Sequence, residues 1–233
     1  IVFGVPGIQT LGRFVELPPV EPKKLEETVR READFQFPLP LEELAWGHQF
    51  LPRPAEAAPD TAPYPAVFQA VKKYLVDTLL HLGEEAGLRA DVVQSDCLAL
   101  HNLAVFEFFG GDQATTAKSA AVALLDVGAD VTNLVISSPS RVWFRSLGFG
   151  GETFTNLLLR PFKLTREQAE LLKREPHRAR RVYQMYDLFE PDLTHLAEEV
   201  ARSLATFRRQ LPGHAVRRMV GVGGGFQLHG LLR

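Results

Sequence analysis

The chain has 233 residues, 45% of them hydrophobic and 23% charged, with 26 basic and 28 acidic side chains. This composition excludes a disordered chain, a collagen-like repeat and a disulfide-stapled miniprotein, and a net charge of −2 supplies no broad positive field for nucleic acid or an anionic membrane. No run approaches the ~18–20 apolar residues that cross a bilayer, and a lone cysteine, Cys97, excludes an internal disulfide and points to a reducing compartment.

In chain order, residues 1–3 and 13–17 read as strands on either side of a turn at Gly4, Pro6 and Gly7. Pro22 suits the first turn of a helix with the stripe Leu25, Val29 and Ala33, which Pro38 and Pro40 end. Residues 44–46 are a short extended segment. Pro52, Pro54, Pro59, Pro63 and Pro65 mark residues 52–65 as a surface loop or linker. A strand is expected over 66–71. A helix through Leu75, Val76, Leu79, Leu80 and Leu82 follows, stopped by Gly87. Residues 91–94 form another strand, and Asp96 is placed to cap a helix reaching about Phe108.

From residue 119 the character changes. Residues 120–125 are almost continuously apolar, as in a strand buried on both faces. Strands over 131–136 and 141–147 follow at short intervals, the pattern of an antiparallel meander at a sheet edge. Gly150-Gly151 opens a helix through Phe154, Leu157 and Leu158. Thr165 and Gln168 fit a capping box ahead of Ala169, Leu171 and Leu172. A basic stretch runs over 173–181. The longest helix is expected from about Asp192 to Gln210, on Leu193, Leu196, Val200, Leu204 and Phe207, with Gly213 as its stop. Residues 215–222 read as a strand leading to three glycines and a helix start. Strands and helices interleave throughout, so the class is mixed α/β.

Four short patterns could carry chemistry. In Asp126-Val127-Gly128-Ala129-Asp130-Val131-Thr132, an apolar strand delivers an aspartate and a glycine into a tight turn. Such a turn can offer backbone amides to a phosphate, and its carboxylate can hold Mg²⁺ through water; the same pattern is also an ordinary Asp/Gly hairpin. In Gly221-Val222-Gly223-Gly224-Gly225 the glycines let helix amides approach a nucleotide, or simply form a flexible turn. A dinucleotide fingerprint fits poorly, because position 226 is Phe. Gly150-Gly151-Glu152-Thr153-Phe154-Thr155 repeats the strand-to-Gly-Gly-to-helix pattern, which close helix–strand packing also produces. Glu170 and Lys173 stand three apart on one helix, the spacing of a surface ion pair. The seven histidines show no metal-ligand spacing, and neither a Gly-x-Ser-x-Gly elbow nor a Walker-type Gly-Lys-Ser/Thr occurs. Arg178, Arg180 and Arg181 read as a solvated face. Phe35 and Phe37, around Pro38-Leu39-Pro40, read as core or as a partner surface.

In this order, Asp126, Gly128 and Thr132 on a turn, Gly150 and Gly151 before a helix, Ala169, Glu170 and Lys173 on the next helix, and Gly223 to Gly225 after a late strand resemble the actin-like ATPase superfamily. Within it the chain is similar to the PilM family of type IV pilus assembly. That likeness rests on Val5-Pro6-Gly7, on Arg13 to Pro19, on Lys23 to Glu27, on Val29 to Ala33, and on Phe37-Pro38-Leu39-Pro40-Leu41-Glu42-Glu43. Ala86-Gly87-Leu88, Ala99-Leu100 and Leu164-Thr165 extend it over nearly the whole chain.

The resemblance implies an actin-like, ribonuclease H-like α/β fold with a small inserted α+β domain over 1–51 and the proline-rich loop at 52–65. The remainder of the first lobe then falls at 66–118, and a second lobe with the nucleotide motifs at 119–233. It implies ATP or ADP with Mg²⁺, serving as a conformational ligand more than as a substrate. Asp126 would hold Mg²⁺ through water, Gly128 and Thr132 would cradle the β- and γ-phosphates, and Gly150 and Gly151 would belong to the same nucleotide-binding set. Glu170 and Lys173 would contact the ribose, and Gly223, Gly224 and Gly225 the adenosine. No residue is assigned as a catalytic base, so at most weak ATPase activity is expected. The implied partner is the cytoplasmic tail of a PilN-like membrane protein, with other pilus alignment or secretion platform proteins. The implied place is the cytoplasm, peripheral to the inner membrane. The family's first phosphate loop would precede residue 1 and its closing elements would follow Arg233, so a fragment with exposed apolar edges is expected. The alternatives are an ATPase or sugar kinase with true turnover, a division protein of the FtsA kind, and an interaction module without nucleotide.

Overall fold

Strand pairing in the first half of the chain brings together segments far apart in sequence. The computed structural model describes residues 1–53, 62–110, 120–211 and 213–231. Pro54 and Pro59 of the expected linker therefore lie outside the described residues. The chain divides into two units, Ile1–Lys118 with Val135–Phe144, and Ser119–Leu134 with Arg145–Arg233.

The first unit holds β1 (Val2–Val5), β2 (Leu11–Leu17), α1 (Pro22–Gln36), β3 (Leu44–Phe50), β4 (Tyr64–Lys72), α2 (Lys73–Glu85), β5 (Val92–Ser95) and α3 (Asp96–Phe109). β4 lies between β2 and β3 and runs antiparallel to both, with Val15 opposite Ala66 and His48 opposite Phe68. The period of two along each strand sends Val15 and Leu17, and Ala66, Phe68 and Ala70, to the face that receives Val29 and Ala33 of α1. Phe37, Leu41 and Leu44 close that core. Phe37 is therefore a core residue, and only Phe35, 83% exposed, remains for a partner. The expected division at residues 51–66 crosses this sheet, because β4 is its central strand. β1 pairs in parallel with β5 from Val2–Val92 to Val5–Ser95 and so stands apart from the three-stranded sheet.

Two helix ends show how local chemistry sets the boundaries. α2 stops at Gly87, whose φ of +70° suits glycine, and the Leu88 N–H donates to the Gly83 carbonyl at 2.8 Å. α3 is capped by Ser95, whose Oγ accepts from the Leu98 N–H at 3.2 Å. The capping role expected of Asp96 thus falls one residue earlier. Ser95 keeps the extended backbone that a cap needs, and Asp96 already lies inside the first turn.

The second group of elements comprises β6 (Ala120–Val127), β7 (Thr132–Ser138), β8 (Arg141–Leu147), α4 (Gly151–Phe162), α5 (Arg166–Arg174), α6 (Val182–Gln210) and β9 (Ala215–Val222). The sheet order is β8-β7-β6-β9, so the three consecutive strands are neighbours as expected. β9 joins the other side of β6 in parallel, with Leu124 opposite Val220 and Asp126 opposite Val222. The boundary between the two units runs through β7 and β8. The core of the second unit gathers Phe149, Phe154, Leu158, Ala169, Met185, Phe189, Leu196 and Leu228. The Phe154 ring meets Phe149 at 5.4 Å and Phe189 at 4.9 Å, both edge-on.

α6 starts at Val182 instead of Asp192 and carries Pro191 inside it. Met185 and Phe189 extend the apolar stripe upstream and are fully buried. Their burial, about 1.5–3 kcal/mol each, offsets the ~3 kcal/mol that an interior proline costs a helix. The capping box ahead of α5 forms as expected. Thr165 Oγ1 accepts from the Gln168 N–H at 3.3 Å, and Gln168 Oε1 accepts from the Thr165 N–H at 3.0 Å. Past β9 the glycines enter one 3-10 turn, Gly224–Gln227, instead of an α-helix. Among the described residues, no helix is long and apolar enough to cross a membrane.

Candidate functional site

β6 and β9 are parallel neighbours, so their C-terminal ends arrive side by side at one edge, the place where open α/β sheets bind ligands. After β6 the chain turns tightly, and the Gly128 N–H donates to the Val131 carbonyl at 2.9 Å. The first turn of α4 rests on this loop. The Gly151 N–H donates to the Gly128 carbonyl at 2.9 Å, and the Glu152 N–H to the Ala129 carbonyl at 2.8 Å. A Cβ on Gly150 would lie 2.2 Å from the Ala129 oxygen, so only glycine permits this approach. Gly150 and Gly151 thus join helix to turn, and the first helix amides are engaged by the turn's carbonyls.

The late glycines divide by role. Gly223 has φ +90°, and a Cβ there would meet Asp126 Oδ1 at 2.4 Å and the Val127 oxygen at 2.5 Å. A Cβ on Gly225 would meet the Val127 side chain at 2.2 Å. These two hold the end of β9 flush against the end of β6. Gly224 is different: a Cβ there meets nothing within 4 Å.

Gly224 opens onto a cleft of about 460 Å³ that also draws in Gly128, Gly151, Glu170, Lys173 and Gly225. Six of the ten expected site residues therefore share one cavity. The other four lie beneath or beside it. Asp126 is half-buried at the end of β6, against Gly223. Gly150 is buried under the turn. Gly223 backs the strand ends. Thr132 is fully buried, and its hydroxyl donates to the Phe149 carbonyl at 2.8 Å, which points it into the core and away from the cleft.

Glu170 and Lys173 form more than a surface pair. The Lys173 side chain is only 12% exposed. Its ammonium donates to the Gly151 carbonyl at 3.1 Å, to Thr155 Oγ1 at 2.9 Å and to Glu170 Oε2 at 2.5 Å. Three donors meet three acceptors. Thr155 Oγ1 donates in turn to Glu170 Oε2 at 2.8 Å, and Arg174 Nε donates to Glu170 Oε1 at 3.0 Å. Burial pushes the Glu170 carboxyl up, but the hydrogen bonds from Lys173 and Thr155, the Lys173 charge and the Arg174 bond outweigh it. The carboxyl is held below its ordinary range.

Sequence reasoning named Glu152 and Thr155 only as members of the Gly150–Thr155 pattern, with no role assigned, and did not single out Arg174; Glu152 pairs with Arg166 at 2.6 Å on the cleft wall. Thr155 was within reach of the pattern, because four residues past Gly151 places its hydroxyl above the same helix turn.

The cleft has the size of a small-molecule site, its volume lying in the ~300–1,000 Å³ range of such sites. It has a glycine position open to a flat group, an ionised acceptor in Glu170 and cationic side chains beside it. Among the described residues no group of three or more His, Cys, Asp or Glu could hold a metal ion by itself.

A family model described as type IV pilus assembly protein PilM matches residues 1–233. Among solved structures, the chain is similar to one in a PilM-PilN type IV pilus biogenesis complex. The TM-score is 0.77 and the identity 27%, over 99% of this chain and 64% of that one. A lesser likeness is to the ethanolamine utilization protein EutJ from Carboxydothermus hydrogenoformans, at 18% identity and TM-score 0.45, over 65% of this chain and 48% of that one. The chain thus spans 64% of the length of its pilus-complex counterpart, and shares its actin-like α/β fold. The chain belongs to the type IV pilus assembly protein PilM family.

Proposed function

We propose that this chain forms part of a cytoplasmic scaffold of type IV pilus assembly that binds ATP or ADP with Mg²⁺ and docks the cytoplasmic tail of a PilN-like membrane protein. The observation that carries the nucleotide reading is Gly224. It is the one glycine of the late triplet with open space where a side chain would be, and it lines the cleft at the ends of two parallel strands. Adenosine would lie along Gly224 and Gly225. Glu170, kept ionised, would accept a hydrogen bond from a ribose hydroxyl. Gly128 would border the phosphates, while the Thr132 hydroxyl is taken up by the Phe149 carbonyl. Asp126 would hold Mg²⁺ through water, and Mg²⁺ would neutralise phosphate charge. Lys173, with its three donors engaged by the protein, would position Glu170 instead of binding the ribose itself. The carboxylates on the cleft wall are engaged, Glu152 by Arg166 and Glu170 by Lys173 and Arg174, and the nucleotide is read as a conformational ligand more than as a substrate.

The membrane partner's tail has a candidate seat in the first unit. β3 is one of the two edge strands of its sheet, and a cavity of about 360 Å³ is lined by Trp46, His48, Val71, Val93 and Leu98. An extended apolar tail can add main-chain hydrogen bonds to such an edge. Held this way, the scaffold would sit peripherally at the inner membrane.

The test is calorimetric titration of the full-length parent with Mg-ATP. Gly224→Val has room in the fold, so its melting temperature should match wild type while nucleotide affinity falls roughly tenfold or more, about 1.4 kcal/mol. Asp126→Ala should weaken binding only when Mg²⁺ is present. Unchanged affinity in both variants would sink the site assignment. A phosphorylated small-molecule product at steady state would replace the scaffold reading with a kinase.

A further inference from the structure

α5 shows two faces. Glu170, Lys173 and Arg174 line the nucleotide cleft, whereas Leu172, turned to the opposite side by a period of about 3.6 residues, lines a second cavity. This groove measures about 660 Å³ and is bounded by the end of α4, by α5, by the loop that follows it and by the first turns of α6. Its floor is apolar. Phe162, Leu164, Leu172 and Leu188 pack at the margin of the core and remain half-buried. Its rim is basic, with Arg178, Arg180 and Arg181.

Arg178 pairs with Glu175 at 2.5 Å. Among the described residues Arg180 and Arg181 have no acidic partner, and Arg181 reaches only the amide oxygen of Gln184, at 3.5 Å. Both are exposed. Neighbouring Tyr183 is 83% exposed. Arginine at the rim of an apolar trough is a residue type enriched at protein interfaces.

We propose that this groove docks a segment of a partner protein in which apolar side chains alternate with Asp or Glu. The trough would take the apolar side chains, and the planar guanidinium forks of Arg180 and Arg181 match carboxylates through paired hydrogen bonds. A flat anionic membrane is the poorer match. The three arginines are fewer than the ~4–8 basic residues of a lipid-binding cluster, and a concave trough cannot lie flush on a headgroup layer. The site is separate from the nucleotide cleft and does not depend on the reading given to it.

The experiment uses the full-length protein and an array of peptides about a dozen residues long, with Leu, Phe or Val spaced among Glu and Asp. Matched peptides carry Gln in place of the acids, or Ser in place of the apolar residues. The best binder is then titrated by fluorescence anisotropy against wild type and against Arg180→Glu with Arg181→Glu. A third protein, Arg208→Glu with Arg209→Glu, makes the same charge change at exposed sites at the far end of α6. The expected result is binding that needs both acidic and apolar residues, weakened roughly tenfold or more by the groove pair and little changed by the distant pair. Equal loss in both variants would reduce the effect to bulk charge and overturn the proposal. So would absence of any binder, or preferential loss of binding to phosphatidylglycerol vesicles or inorganic phosphate in the groove variant. Gel filtration of the same variants covers self-association: a dimer that only the groove pair dissolves would make a second copy the occupant and overturn the partner assignment. Thermal melts confirm that both exposed pairs leave the fold intact.

Discussion

A lysine three residues after a glutamate on a helix is ordinarily an exposed pair worth roughly 0.2–0.5 kcal/mol. Lys173 departs from that pattern because α5 lies across the start of α4, where the Gly151 carbonyl and the Thr155 hydroxyl supply two further acceptors. Replacing it with methionine keeps much of the stem but leaves Glu170 and those acceptors under-satisfied, at about 1–3 kcal/mol. Glu170 also gives the loss a pH signature. Its folded carboxyl lies below the ordinary 4.5, so its contribution is complete above that value and is lost as pH falls through the lower folded value. Thr155 from α4, and Lys173 and Arg174 from α5, are the groups that hold it. The stability gap between wild type and Lys173→Met should therefore be full near neutrality and shrink as pH drops below 4.5. Hydrogen exchange of the α4 and α5 amides measures it, and a gap independent of pH would show that the ammonium does not act through Glu170.

The elements show what local sequence can and cannot fix. Gly87, the Thr165–Gln168 capping box and both ends of β9 depend on neighbours within a few residues, and all were legible. Ser95 and Asp96 are both competent caps, so only the backbone angle at the helix entrance decides between them. The central place of β4 was hidden, because strand pairing is a long-range choice that residues 64–72 do not themselves express. Thr132 looked like a ligand group because it follows a phosphate-type turn. β7, however, is buried along its whole length, which leaves its hydroxyl only the Phe149 carbonyl. The start expected near Asp192 fell ten residues late, because the stripe upstream of Pro191 was not read: buried Met185 and Phe189 carry the helix through that proline. Pro191 is exposed, so Pro191→Ala should restore a missing backbone donor and raise stability by about 1–3 kcal/mol in urea denaturation. A loss of stability would mean that the turns upstream of residue 191 are not continuous with those after it.

At the scale of the molecule, the two units have separate cores and should respond to acid in separate windows. Glu170 belongs to the second and acts below its ordinary carboxylate range. The first contains His101, fully buried on α3, with Nδ1 at 3.0 Å from the Ser137 hydroxyl. Burial lowers its pKa from 6.5 to about 4. The sign follows from which state holds the proton. Below 6.5 the unfolded chain protonates this imidazole while the folded unit keeps it neutral, so protons bind preferentially to the unfolded state. Stability should then fall as pH drops from 6.5 toward 4, by at most about 3 kcal/mol for this group. Trp46 and Trp143 both lie in the same unit and report its unfolding by fluorescence. His101→Gln retains a polar group that can reach Ser137 but cannot take up a proton. Urea melts followed by tryptophan emission should give a steep loss of wild-type stability across that window and a flatter profile for His101→Gln. Parallel profiles would show that acid acts on this unit through other groups.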